Sequence, residues 1–250
     1  MINSSLHRRV SVRIRFCISM LLLILIGVGC NPKADNDPST QLPQGTVLED
    51  YFPLSANRYW QYDWHNNRGD SWRGSITVTS FRKNLGLKVF IVIDSTETYE
   101  TYDVFRSAYL WDKDGLKHLY RANINGDSTA FMPPRLVLPS KIVIGKTYLR
   151  EYGFQVYNAI GEKRYSVNVR QTQKLIRQGS VEAGGKIWDD CIAIETVWTN
   201  INTDGSEHTR RKVNWHSKGI GPVMLISDIP VNATELKGDA TGELISFKLN

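Results

Sequence analysis

From Leu48 to the C-terminus, apolar residues recur with a period of two rather than 3.6. Ile76 and Val78 alternate with the hydroxyls of Ser75, Thr77 and Thr79. Tyr165, Val167 and Val169 alternate with Ser166, Asn168 and Arg170. Ile192, Ile194 and Trp198 share one parity, opposite to Glu195, and Ile245, Phe247 and Leu249 alternate with Ser246 and Lys248. Such alternation puts one set of side chains on a core face and the other in water, as in an antiparallel sheet. The apolar run Val89-Phe90-Ile91-Val92-Ile93 predicts a central strand covered on both faces. Turn signals separate the runs. Asn66-Asn67-Arg68-Gly69-Asp70, Asp112-Lys113-Asp114-Gly115, Asn125-Gly126-Asp127 and Asn202-Thr203-Asp204-Gly205 each offer a glycine for positive φ and an Asn or Asp that can bond its own backbone. The pattern gives about ten strands among the segments 58–65, 71–82, 87–97, 100–112, 115–124, 129–138, 146–158, 163–177, 186–200, 207–217, 220–227 and 242–249. No amphipathic helix of convincing length interrupts them. The predicted fold is all-β: one antiparallel meander curled into a half-barrel or barrel, because a flat sheet this wide would not pack.

The first 47 residues follow another logic. A basic segment, residues 1–16, leads into the apolar core Cys17–Ile26, then Gly27-Val28-Gly29 and Cys30. A basic region, a short apolar core and small residues at a cleavage point describe a secretory signal peptide. The apolar run is shorter than the ~20 residues a spanning helix needs. Residues 31–47 hold three prolines and no aromatics, which reads as a flexible tether. Extended, it reaches roughly 50–60 Å at ~3.3–3.6 Å per residue. The domain reading is therefore signal peptide 1–29, lipidated N-terminus and linker 30–47, and one all-β domain 48–250.

The apolar core, Gly27-Val28-Gly29 and Cys30 together resemble a bacterial lipoprotein lipobox. The resemblance implies cleavage after Gly29, a diacylglyceryl group on the Cys30 thiol and an acyl chain on the new amino group. This chain has Gly27 where that family usually has Leu, and small residues at 27 and 29 also suit ordinary signal cleavage. Several acyl chains on one residue hold a protein at a bilayer stably, since each buried methylene contributes ~0.8 kcal/mol. Residue 31 is Asn rather than the Asp that in this family commonly marks retention in the inner membrane, so the resemblance implies the outer membrane.

Phrases in the folded part are similar to those of bacterial envelope lipoproteins with open, curled antiparallel sheets, a group with no settled activity. They are Tyr51-Phe52-Pro53-Leu54 with Tyr59-Trp60-Gln61-Tyr62, Ile144-Gly145-Lys146-Thr147-Tyr148, Gly184-Gly185-Lys186-Ile187-Trp188-Asp189-Asp190-Cys191, and Trp215-His216-Ser217-Lys218-Gly219-Ile220-Gly221-Pro222. The resemblance implies fold and compartment, with no catalytic residue to carry over. In outline such a sheet is similar to carriers that hold acyl chains on a concave face. Physically, Gly219 and Gly221 beside Pro222 suit a bend or bulge at a sheet edge.

Composition narrows the function classes. The chain of 250 residues is 41% hydrophobic, 22% charged and 10% aromatic, a globular balance. Its net charge of +6 includes Arg8, Arg9, Arg13 and Arg15 of the leader, and without those four it is +2, no footprint for nucleic acid. Of three cysteines the mature domain keeps only Cys191, so it forms no internal disulfide. Flanked by Asp189 and Asp190 in an alternating strand, Cys191 reads as a small apolar residue rather than a nucleophile. His65, His118, His208 and His216 have no metal-ligand spacing. Asp112-Lys113-Asp114-Gly115 opens like a calcium loop but lacks its closing ligands, and reads as a hairpin turn. Arg210-Arg211-Lys212 reads as a solvated face, with anionic headgroups as the alternative. The seven tryptophans, Trp60, Trp64, Trp72, Trp111, Trp188, Trp198 and Trp215, read mostly as core, or as a concave lining for acyl chains or sugar rings.

These readings point to a non-enzymatic envelope lipoprotein, held at the membrane by its lipid anchor, with no cofactor and no metal site. Its concave face binds an apolar ligand, a glycan or an envelope protein. The alternatives are a scaffold that recognises a partner by its rim or a free strand edge, and a hydrolase with dispersed active-site residues. The mature polypeptide is expected to begin at Cys30 and to carry fatty acid, which intact-mass measurement checks. A polypeptide from the host that began at Met1 without fatty acid would overturn export, tether and role together.

Overall fold

A computed structural model of the chain describes residues 48–84, 87–97 and 102–249. The leader, the cleavage residues Gly27, Val28 and Gly29, the lipid site Cys30 and the tether to residue 47 lie outside the described residues.

Twelve strands follow a short 3₁₀ turn, Leu48–Tyr51. They are β1 (Tyr59–Asn66), β2 (Ser71–Asn84), β3 (Leu87–Glu97), β4 (Tyr102–Asp112), β5 (Gly115–Asn123), β6 (Ser128–Pro139), β7 (Thr147–Tyr157), β8 (Lys163–Ala183), β9 (Lys186–Ile201), β10 (Glu207–Ser217), β11 (Gly221–Ser227) and β12 (Ala240–Lys248). Each pairs antiparallel with its neighbours in sequence, and β1 also pairs with β12, so the meander closes into a barrel. The all-β expectation holds. The strands number twelve rather than about ten, and closure removes the sheet edge that Gly219 to Pro222 were expected to mark. Those residues instead turn β10 into β11, with a register shift between Trp215 and His216 opposite Pro222. Tight hairpins make the rest possible. At Gly115, φ is +135° and a Cβ would lie 2.1 Å from the Leu138 carbonyl oxygen, so only glycine fits.

A twelve-stranded barrel encloses more space than one ring of side chains fills. Here one end is closed by residues 48–54. Leu48, Tyr51, Phe52 and Leu54 are buried, Phe52 stacks on Trp60 at 6.0 Å, and the Gly219 N–H donates to the Asp50 carbonyl at 2.7 Å. The Trp60 indole N–H donates to the Ile220 carbonyl at 2.7 Å, and the Tyr62 hydroxyl to the Pro222 carbonyl at 2.9 Å. This end is the main hydrophobic core, built inward from Trp60, Tyr62, Phe90, Leu116, Leu138 and Ile192.

Two further devices cover the outside. The segment after β11 folds back over β10, where Ile229 is buried and Arg211 donates to the carbonyls of Pro230 and Ala233. The tip of the long β8–β9 hairpin docks on β12, with the Gly184 N–H donating to Glu243 at 3.0 Å. Residues 191–194 of β9 are consequently buried on both faces. By contrast β3 is buried on one face: Phe90 and Val92 are enclosed, whereas Val89, Ile91 and Ile93 are only half-buried. The both-sides expectation for that run is corrected, because among the described residues its second face is only half-covered. In β12 the extra residue opposite the Gln61/Tyr62 register shift makes Leu244 the fully buried residue and leaves Leu249 exposed.

Trp60→Ala is expected to cost about 3–5 kcal/mol, through an indole-sized cavity and loss of its bond to Ile220. Urea unfolding monitored by circular dichroism measures it.

Candidate functional site

The far half of the interior is polar, and its origin is local. Pro133 and Pro134 have no N–H to donate, and the β6–β7 ladder ends at Met132↔Gly153. Past that point β6 and β7 part. Side chains of β8 bridge the opening: the Gln171 amide donates to the Leu136 carbonyl and the Gln173 amide to the Val137 carbonyl, each at 2.8 Å. Both glutamines are buried, yet Gln173 Oε1 has no partner. Beside this seam lies a cavity of about 40 Å³. Arg135 from β6, Tyr152 from β7, the two glutamines, Thr196 and Trp198 from β9, and Lys212 and Asn214 from β10 line it.

None of the lining residues is acidic. Lys212 forms no ion pair among the described residues, and its ammonium lies 5.7 Å from the Trp198 ring centre. Burial, then the charge of Arg135, lowers its pKa to about 8, so it stays protonated at neutral pH. Arg135 Nη2 lies 3.0 Å from His118 Nδ1. A guanidinium only donates, so this nitrogen accepts and the proton of the neutral ring sits on Nε2. His118 stacks on Tyr109 at 4.4 Å and meets Phe131 at 4.7 Å. Burial first, then the charges of Arg135, Arg121 and Lys212, lower its pKa to about 2. Among the cations around His118, Arg121 pairs with a carboxylate, Asp94 at 3.4 Å, which burial holds above its usual range. Arg121 also lies 3.5 Å over the Phe105 ring. Burial likewise raises the Tyr152 hydroxyl, with Arg135 opposing.

Of the residues singled out from sequence, Trp198, Lys212 and His216 line the cavity and the others lie elsewhere. The Nδ1 of His216 turns to the plugged end, 3.1 Å from the Tyr51 carbonyl, and burial lowers its pKa to about 4. His65 and His208 are exposed, and among the described residues no three His, Cys, Asp or Glu side chains gather as metal ligands. Cys191 is buried, its thiol raised first by burial and then by Asp189 and Asp190, in keeping with a packing role. Asp112 and Asp114 both take the Lys117 ammonium, at 2.7 and 2.8 Å, inside a hairpin. Trp198 alone of the seven tryptophans lines the cavity, while Trp64 and Trp72 stack on each other at 6.0 Å.

The solvated-face reading of Arg210-Arg211-Lys212 is corrected. Arg210 is exposed, but Arg211 pairs with Glu195 at 2.7 Å beneath the 228–239 segment, and Lys212 points into the cavity. Sequence reasoning passed over Arg135, Gln171 and Gln173, and took Lys212 only as part of a charge run. The glutamines were detectable, because they continue the parity of Val167 and Val169 toward Leu175.

Comparison with solved structures shows the fold. A candidate lipoprotein from Parabacteroides distasonis ATCC 8503 is similar, with a TM-score of 0.53 and 9% identity, over 79% of this chain and 98% of that one. A candidate exported protein with a YmcC-like fold from Bacteroides fragilis NCTC 9343 gives a TM-score of 0.44 and 7% identity over the same shares. No protein-family model and no curated protein matches the sequence.

The buried histidines set a pH response. Both pKa values are lower in the folded chain than the ~6.5 of an unfolded one, so below pH 6.5 the unfolded state takes up the protons. Stability is full above that value and falls as the pH drops. Together the two histidines are expected to remove roughly 3–4 kcal/mol between pH 7 and pH 5. Urea unfolding at the two pH values, repeated on His216→Asn to flatten the slope, measures it.

Proposed function

We propose that the protein is an exported binding module, held at the outer membrane through acylated Cys30, that takes a polar group of an envelope glycan into its barrel without chemically altering it. The observation that carries this reading is the cavity at the β6–β7 seam. Its walls present hydrogen-bonding capacity that the protein leaves unused, at Gln173 Oε1, which is buried without a partner, and at the half-buried Lys212 ammonium, which lies near the Trp198 ring and makes no ion pair among the described residues. Buried polar groups without partners are costly unless a ligand completes them.

Of the ligands considered, a polar one suits these walls best. Pockets that enclose a drug-sized apolar molecule run to roughly 300–1,000 Å³, and this cavity of about 40 Å³ takes one end group only. Trp198 and Tyr152 offer ring faces of the kind that pack against sugars. Neither interior histidine is bonded to a hydroxyl or thiol: their ring nitrogens meet Arg135 and the Tyr51 carbonyl, which favours binding over catalysis. The closed sheet leaves unpaired strand backbone where β6 and β7 part, and there Gln171 and Gln173 already occupy two β6 carbonyls, which disfavours docking of a partner strand. The Parabacteroides distasonis chain with the same fold is itself a candidate lipoprotein, in keeping with export.

Titration of the protein with envelope polysaccharide is expected to change its tryptophan fluorescence, and Trp198→Phe is expected to remove most of that change. A palmitate titration is expected to leave it flat. A response to palmitate alone would replace the glycan reading with that of an acyl carrier.

A further inference from the structure

We infer that the barrel interior binds its ligand by an oxyanion, a carboxylate or a phosphate, held at Lys212 and Arg135. The inference rests on the reading of this cavity as a binding site and names the chemistry it selects.

The argument is one of charge balance. Three cations, Arg121, Arg135 and Lys212, lie close enough together to act on the same imidazole, His118. Asp94 answers Arg121. Arg135 is given a neutral histidine where a carboxylate would have neutralised it, and Lys212 is given the face of Trp198. Both side chains are half-buried, and a charge that gives up part of its hydration without gaining a counter-charge is unfavourable. The nearest outward-facing cation shows the alternative, because Arg211 has both Glu195 and two carbonyl acceptors. Two positive charges therefore face one cavity lined by amides and hydroxyls and by no acid. Guanidinium and ammonium donate to carboxylate and phosphate oxygens through short, charge-assisted bonds, and the amide groups of Gln173 and Asn214 can take the remaining polar atoms of the ligand. Arg210 shares the face of β10 with Lys212 one alternation further along, but it is exposed and has Asp228 at 4.0 Å, so it adds little to the charge facing the cavity.

Calorimetric titration of the full chain in a non-ionic detergent, with inorganic phosphate, glucuronate and uncharged glucose, tests this. At least one anion is expected to bind ten or more times more tightly than glucose. Which anion binds separates a phosphoryl from a carboxylate ligand. Lys212→Met and Arg135→Gln are each expected to weaken that binding at least tenfold. Without anion, Lys212→Met is expected to melt at or above the wild-type temperature, since it removes a half-buried cation that has no counter-charge among the described residues, so its loss of binding would not reflect unfolding. Equal binding of glucose and glucuronate would overturn the anion inference and leave the cavity a sugar site. Unchanged anion affinity in a folded Lys212→Met would overturn the assignment to these residues. No binding of any probe would overturn the binding reading with it.

Discussion

A closed sheet requires every strand to pair on both sides, and β6 does so only as far as Met132. Two prolines in succession deprive it of donors at the point where it should continue alongside β7. The barrel stays closed because β8 reaches across the gap with side chains, Gln171 and Gln173 giving β6 the amide hydrogens that the β7 backbone does not. Amide side chains are longer than a ladder bond, so the wall stands off at this place and leaves space behind it. The cavity, its polar lining and the burial of two glutamines all follow from this one break in the ladder.

The two halves of the interior answer to different demands. Toward the plugged end the contents are aromatic and aliphatic, and the segment 48–54 fills what twelve strands leave empty. Several of its polar side chains find a backbone carbonyl, Trp60 at Ile220, Tyr62 at Pro222 and His216 at Tyr51, while the Trp111 indole N–H has no partner. Toward the seam, unpartnered buried atoms collect at Ser107, His118, Arg121, Asn123, Gln173 and Asn200. A domain of this size with one core can carry such a region, because burial in the other half supplies the stability. Unpartnered buried atoms are more numerous in the second half, which is the ground for the proposed binding reading.

The strand order was legible because alternation and glycine turns act locally. All twelve segments, among which about ten strands were expected, are strands, and Asn66 to Asp70 or Asn202 to Gly205 turn where their side chains can bond their own backbone. Which face of a strand points inward was less legible. On β10 the apolar residues Val213 and Trp215 face away from the cavity and are buried by the 228–239 segment, so the polar set Lys212, Asn214 and His216 is the inward one. A rule that equates apolar with inside inverts this strand. It does so because the cover arrives from a loop with no regular period of its own.

The same inversion explains why a charge run could pass for a solvated face. In Arg210-Arg211-Lys212 three successive cations meet three environments: water at the strand end, an ion pair with carbonyl acceptors under a loop, and an interior cavity. Sequence places them side by side, but alternation sends neighbours to opposite faces and closure decides what each face meets. Closure depends on β1 reaching β12 across nearly the whole chain, and the seam depends on β8 reaching β6. Those are long-range events that no local pattern records. The chemistry of this protein therefore sits where local rules lapse: at two prolines that end a ladder, two glutamines on a core parity, and a lysine turned away from solvent. Each is unfavourable for an empty barrel, and together they converge on one cavity, which is the physical ground for reading it as built to be filled.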